Sequence, residues 1–300
     1  MNRMIEMVIS QRRRSLGGFE VGRLLPFAKR RMIGPFIFFD HLGPVDLPAG
    51  LPRSVDVLPH PHIGLSTVTY LFAGEIVHRD SVGSQQPIHP GEVNWMTAGC
   101  GVTHSERFER ARQEEGDHVH GIQAWVALPK ENEENSPFFQ HYEGTDLPVW
   151  QEKGMTARLI TGEAFGAKAP TAVFSPQFYI HWQLDKNVTI DLPHQYSERA
   201  VYVAAGRIQT EDQSFGAGDM ILFGRNTSVR ITAEQPSIVL GLGGEPIGER
   251  FIYWNFVSSS KERIDQAKAD WQTGRMKLPD FDHQEFIPLP QDATPAPNPL

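Results

Sequence analysis

The sequence is short of several things, and each shortage removes a class of function. It holds one cysteine, Cys100, in 300 residues. No intrachain disulfide can form, and a structural zinc site built from thiolates is out of reach. A lone thiol fits a reducing compartment. No stretch approaches the ~20 consecutive apolar residues that span a bilayer as a helix. Met1 to Arg14 mixes charged with apolar residues and contains no apolar run, which argues against a secretory leader. The expectation is a cytoplasmic protein with no membrane partner. Positive charge is also scarce: 28 Lys and Arg stand against 36 Asp and Glu, a net charge of −8. Binding a nucleic-acid backbone needs clustered cations. The one basic run, Arg12-Arg13-Arg14, reads as a solvated face, so no direct nucleic-acid contact is expected.

What the chain has is turn punctuation. Its 27 glycines and 23 prolines separate short runs rich in Val, Ile, Thr, Tyr, Phe and Trp. Thr67–Phe72 ends at Ala73-Gly74 and Glu75–Asp80 follows at once, which reads as a hairpin. Glu92–Met96 and Gly121–Leu128 fit strands in the same half. Phe178–Trp182, Val188–Ile190, Ala200–Val203, Asp219–Phe223, Val229–Ile231 and Ile238–Leu240 fit them in the second half. Many short strands at this spacing indicate an all-β sandwich or barrel. Between the halves, Lys130 to about Lys168 is polar and reads as a connection with one or two strands. The halves also resemble each other: Leu71-Phe72-Ala73-Gly74-Glu75-Ile76 parallels Val203-Ala204-Ala205-Gly206-Arg207-Ile208. A weak repeat of this length fits two barrels of one kind, divided as residues 1–135 and 136–300. One helix is legible. Ser259 with Glu262 forms a capping box, Ile264, Ala267 and Trp271 recur at helical spacing, and Gly274 ends it. The tail carries prolines at 288, 290, 295, 297 and 299 and reads as extended or disordered.

Two segments carry chemistry, His60-Pro61-His62 and His104-Ser105-Glu106. Side chains at i and i+2 of a strand share a face. Two such pairs on neighbouring strands offer three imidazoles and a carboxylate to one point, a donor set for a first-row transition metal. His118 and His120 share the spacing, and a lone pair of this kind is more often packed or solvated. His60 and His62 are framed by Pro59, Pro61 and Gly64, and His104 follows the glycine-rich approach Gly99-Cys100-Gly101. Cys100 lies outside both pairs and reads as a small residue in a tight turn. Four protein ligands leave open positions for water, dioxygen or a chelating substrate, unlike a closed structural site.

These segments resemble the pirin family, a branch of the cupin superfamily. The resemblance rests on Gly34-Pro35-Phe36-Ile37-Phe38-Phe39-Asp40-His41, on His60-Pro61-His62-Ile63-Gly64, and above all on Pro90-Gly91-Glu92-Val93-Asn94-Trp95-Met96-Thr97-Ala98-Gly99-Cys100-Gly101-Val102-Thr103-His104-Ser105-Glu106. His120–Val126 and Gly243–Glu249 agree with it. It implies two cupin-type jelly-roll β-barrels packed face to face, with a short C-terminal helix. It also implies one metal at His60, His62, His104 and Glu106 in the N-terminal barrel, and a metal-free C-terminal barrel. Iron(II) is the implied metal; Mn, Ni, Co, Cu and Zn suit the same donors. Some bacterial members resemble quercetin 2,3-dioxygenases, whereas animal members are regarded as iron-dependent transcriptional co-regulators. The chain departs from the family in two places. Ile63, Leu65 and Ser66 stand where the family often has Arg, Phe and Glu. Trp254-Asn255-Phe256-Val257-Ser258-Ser259 replaces the usual Gly-Pro-Phe-Val-Met-Asn.

The expected function is a metal-dependent dioxygenase acting on a polyphenol of flavonol type with dioxygen. In it Glu106 serves as ligand or catalytic base for the substrate hydroxyl, and the metal is Lewis acid and template. Ile63, Trp95, Met96, Gln123 and Trp125 are the candidate substrate pocket, with Gln123 able to orient a ligand from behind. The alternative is an iron-dependent regulatory module that binds a protein partner without turnover. A basic surface would favour it, and Ile63 removes one cation. A closed structural metal barrel is the third reading.

Overall fold

The computed structural model describes residues 4–16, 19–113 and 115–291. The prolines at 295, 297 and 299 lie outside the described residues. Pro288 and Pro290 lie inside them, in chain without regular structure. Strands dominate, and the one α-helix among the described residues is Lys261–Gln272. That helix is too short and too polar to cross a membrane.

The chain forms two compact units, and they are interleaved in sequence rather than cut once near residue 135. One unit comprises Arg14–Val21, Leu42–His141 and the chain from Ile247. The other comprises the chain up to Arg13, Gly22–His41 and Tyr142–Pro246.

The first unit is a jelly roll. A four-stranded sheet runs in the order Val57–His62, Val102–Arg107, Ile76–Asp80, Gln85–Ile88. A second sheet has Val93–Thr97, Leu65–Ala73 and Asp117–Ala127 side by side. Leu71 and Val119 from one sheet bury against Ile76 and Ile88 from the other. The hairpin suggested by Thr67–Asp80 does not form. Leu65–Ala73 pairs with Val93–Thr97 and Asp117–Ala127, whereas Ile76–Asp80 pairs with Val102–Arg107 and Gln85–Ile88. The chain changes sheets at Gly74, whose φ is +91°. A Cβ there would come within 2.6 Å of the His118 carbonyl oxygen, so only glycine fits. Local alternation identifies a strand without saying which sheet it joins, and this corner separates two adjacent ones.

The helix also belongs to this unit, not to the second barrel. Ile264, Ala267 and Trp271 bury against Ile63 and Phe256. Its cap is Ser260, one residue beyond the expected Ser259. Ser260 Oγ accepts from the Arg263 amide at 3.3 Å. Ser259 is already committed: its amide and hydroxyl donate to the Glu133 carboxylate at 2.9–3.0 Å. The same carboxylate pairs with Arg250 at 2.9 Å. Glu133, in the segment read as a polar connection, is thus a buried anchor for the C-terminal segment.

The second unit repeats the pattern. Its large sheet runs Ile5–Ser10, Asp219–Phe223, Glu198–Ala205, Ser237–Gly244, Gln177–Leu184, Met155–Ala164, Val149–Glu152. Its small sheet runs Thr189–Asp191, Arg230–Ala233, Arg207–Thr210, Gln213–Gly216. That small sheet matches the first unit's four-stranded sheet strand for strand, so the repeat seen in the sequence is a repeat of topology. Ile180, Trp182, Val201, Val203 and Val239 bury against Ile190, Ile208, Ile231 and Ala233 to form its core.

Candidate metal centre

Strand pairing brings the histidines together. His104 is the cross-strand partner of His60, and Val102 that of His62, so three imidazoles emerge on one face of the small sheet. All three are buried, His60 at 7% exposure and His62 and His104 at 1%. Their ring centroids lie 4.4–5.0 Å apart. One nitrogen from each falls within 4.8 Å of the others.

Backbone carbonyls set the tautomers of the first two. His60 Nδ1 lies 2.9 Å from the Leu58 carbonyl oxygen, and His62 Nδ1 lies 3.2 Å from that of Asn255. A carbonyl accepts only, so each Nδ1 carries the proton and each Nε2 keeps its lone pair. His62 Nε2 faces His104 Nε2 at 3.1 Å. Burial keeps these rings neutral. It lowers the His60 pKa to about 4, against the raising effect of the Leu58 carbonyl. Burial, followed by the neighbouring imidazoles, takes His62 and His104 well below the ordinary value. Neutral imidazoles with convergent lone pairs are the donor chemistry of a divalent first-row metal, and this cluster fits one.

Glu106 follows His104 on the same strand, after a register shift that pairs it with Val57. Its carboxylate is not among the atoms that converge within 4.8 Å. It accepts instead from Gln123 Nε2 at 3.1 Å, and Gln123 Oε1 accepts from Thr69 Oγ1 at 2.7 Å. Burial raises the Glu106 carboxyl to about 7, with the Gln123 amide working the other way. The group is therefore poised to hold or release a proton near neutrality.

The five pocket candidates separate by strand parity. Trp125, Thr67 and Met96 lie in one cross-strand row, and Gln123, Thr69 and Asn94 in the next row of the same face. That face looks toward the cluster: the Trp125 ring meets His62 edge-on at 5.0 Å, and Gln123 reaches Glu106. Met96 packs with Val102 and Phe139. Trp95 has the opposite parity and points to the other face, where its indole donates to Thr97 Oγ1 at 3.1 Å. Ile63 packs into the helix cluster and lines a separate cleft of about 400 Å³ with Cys100, Val102 and Arg263. Cys100 is exposed. Trp95 and Ile63 are thus placed away from the imidazoles.

Sequence reasoning overlooked His78 and Asp80. They sit on the strand Ile76–Asp80, opposite Glu106 and His104 respectively. His78 Nδ1 lies 3.3 Å from His104 Nδ1, and His78 Nε2 lies 2.9 Å from Asp80 Oδ2. Burial alone would raise the Asp80 pKa. The His78 contact and the Ser84 amide outweigh it and hold Asp80 below the usual carboxylate range. The i, i+2 spacing of His78 and Asp80 was the available signal.

Comparison with known proteins bears on the family and the fold. Residues 18–126 match the family model for pirin, and residues 179–277 match that for the pirin C-terminal cupin domain. A pirin-like protein from Caulobacter vibrioides is 59% identical over 96% of this chain and 100% of its own length. The crystal structure of a quercetin 2,3-dioxygenase from Acinetobacter baumannii superposes with a TM-score of 0.86 at 31% identity, covering 96% of this chain and 95% of that one. The bacterial pirin YhhW from Escherichia coli, solved in complex with nickel(II), shares the fold at a TM-score of 0.62 and 18% identity, over 80% of this chain and 99% of that one.

Proposed function

Because the chain belongs to the pirin family, we propose that it is a mononuclear metal dioxygenase of the quercetin 2,3-dioxygenase type, with iron(II) held by His60, His62 and His104 and a flavonol-like substrate opened with dioxygen. The observation that carries this is a set of three neutral imidazoles converging beside a carboxyl whose pKa is about 7. Glu106 is read as the fourth ligand, recruited from its Gln123 contact, or as the base. A bound divalent metal supplies Lewis acidity and a template for adjacent hydroxyl and carbonyl oxygens. Glu106 Oε2 takes the substrate hydroxyl proton, while Gln123 keeps Oε1 oriented. General-base help of this kind is worth ~100 to 10,000-fold in rate. Trp125 and Met96 exclude water on the inner face of the larger sheet. The likeness to the Acinetobacter enzyme supports this substrate class.

The test is direct. Protein loaded with iron(II) under argon is mixed with quercetin, and oxygen is admitted. The flavonol absorbance should decay with turnover. Glu106→Gln should slow decay at least 100-fold while most of the metal stays bound. No decay with iron, manganese, nickel, cobalt or copper would remove the flavonol assignment.

A further inference from the structure

We propose that His78 and Asp80 form a positioning dyad that imposes the metal-binding tautomer on His104. The inference rests on reading the three imidazoles as a metal site. It starts from Asp80, which is fully buried. Its Oδ1 accepts from the Val82 and Ser84 amides at 3.0 and 2.9 Å, and its Oδ2 faces His78 Nε2 at 2.9 Å. A carboxylate accepting on both oxygens has no proton to give, so His78 Nε2 is the donor. A His78 ring whose single proton sits at Nε2 then offers a lone pair at Nδ1. His104 Nδ1 lies 3.3 Å from that atom, so it must donate. His104 Nε2 is left bare, and it is the atom aimed at His62 Nε2.

Three features make this a built device. Phe139 stacks on His78 at 4.4 Å and 17° between planes, which fixes the ring that transmits the preference. His60 and His62 each turn Nδ1 to a backbone carbonyl, whereas His104 turns Nδ1 to His78, so the dyad takes that place. Counted from the matching corners Gly74 and Gly206, the second unit has Thr210 where the first has His78, and Val229 where the first has His104. His78 accompanies the imidazole it serves. Groups standing behind a metal ligand in this way typically set affinity by 10–100-fold.

Asp80→Asn tests the relay because it is isosteric. Asparagine Oδ1 can still accept from the Val82 and Ser84 amides, but its amide nitrogen must donate to His78 Nε2. His78 then carries its proton on Nδ1, His104 accepts there, and His104 Nε2 acquires the proton that blocks metal. Nitrogen-15 histidine spectra of the metal-free full chain at neutral pH should show His104 protonated at Nδ1 in the unaltered protein and at Nε2 in Asp80→Asn. Cobalt(II) affinity should fall 10–100-fold with a shifted d–d absorption band. His78→Phe keeps the stacking and removes the acceptor; it should also weaken cobalt(II), with no switch to Nε2–H imposed on His104. An unchanged His104 tautomer in Asp80→Asn, or unaltered cobalt(II) affinity and spectrum in both variants, would overturn the dyad. Failure of the unaltered chain to bind one equivalent of cobalt(II) would overturn the metal reading as well.

Discussion

The two barrels use one strand order for opposite purposes. Where the first pairs His60 with His104, the second sets Leu192 against Val229. Where the first has His78, the second has Thr210, counted from the matching corners Gly74 and Gly206. Leu192 and Val229 join a continuous core with Ile190, Ile231 and Trp182. One small-sheet frame therefore encloses either packed hydrocarbon or a ring of nitrogen donors. The backbone decides where the side chains meet, and their identities decide whether the meeting point is core or site. Buried arginines divide in the same way. Arg107 in the first barrel is held by Asp282 at 2.6 Å on two nitrogens and by Asp56 at 3.0 Å. Arg199 in the second is held by carbonyl oxygens of Pro193 and Gly224 and by Thr227.

The strongest way to break this comparison is to write the second barrel's residues into the first. The double variant His60→Leu/His104→Val should lose metal altogether, with less than a tenth of an equivalent left by elemental analysis. Its metal-free form should melt at or above the temperature of the parent, because hydrocarbon replaces desolvated imidazole. A variant that cannot fold would show that the two frames are not interchangeable. The next lever is the buried arginine. Asp282→Ala strands the Arg107 guanidinium and should cost about 3–5 kcal/mol in urea unfolding, loosening the ligand strand Val102–Arg107. A cost under about 1 kcal/mol would mean Asp56 suffices.

Acid gives the smallest effect. Burial, then the nearby His118 charge, lowers the His120 pKa to about 4 from 6.5. The unfolded chain takes the proton first, so stability is whole above about 6.5 and is lost as pH falls toward 4. The loss from this one group is at most about 3 kcal/mol. His120→Gln should flatten the pH dependence of the metal-free protein by that amount; an unchanged slope would place the acid sensitivity elsewhere.

Much of the site was legible because strand parity is a local rule. His60, His62 and His104 declared themselves by i, i+2 spacing and by their proline and glycine frames. Gln123 stands behind Glu106, as its place on the facing strand allowed. Parity is also where the reading failed. Trp95 and Met96 are neighbours in sequence, so only one can face the imidazoles, and local pattern does not say which. Ile63 looked like a cleft residue because it adjoins His62, yet its side chain leaves the barrel for the helix. The helix cap slipped by one residue because Glu133, more than a hundred positions away, claims Ser259. The hairpin misreading at Gly74 and the interleaved units share that cause: nothing in a ten-residue window reports which distant segment covers a face.

The strand Val57–His62, which carries two of the imidazoles, is finished by residues translated long after it. The Asn255 carbonyl orients His62, and the Ile287 amide donates to the Pro59 carbonyl at 2.8 Å. On a ribosome the second unit's residues emerge complete before these do. The barrel that holds the three imidazoles should thus mature last, completed only once the chain past Ile287 has cleared the exit tunnel.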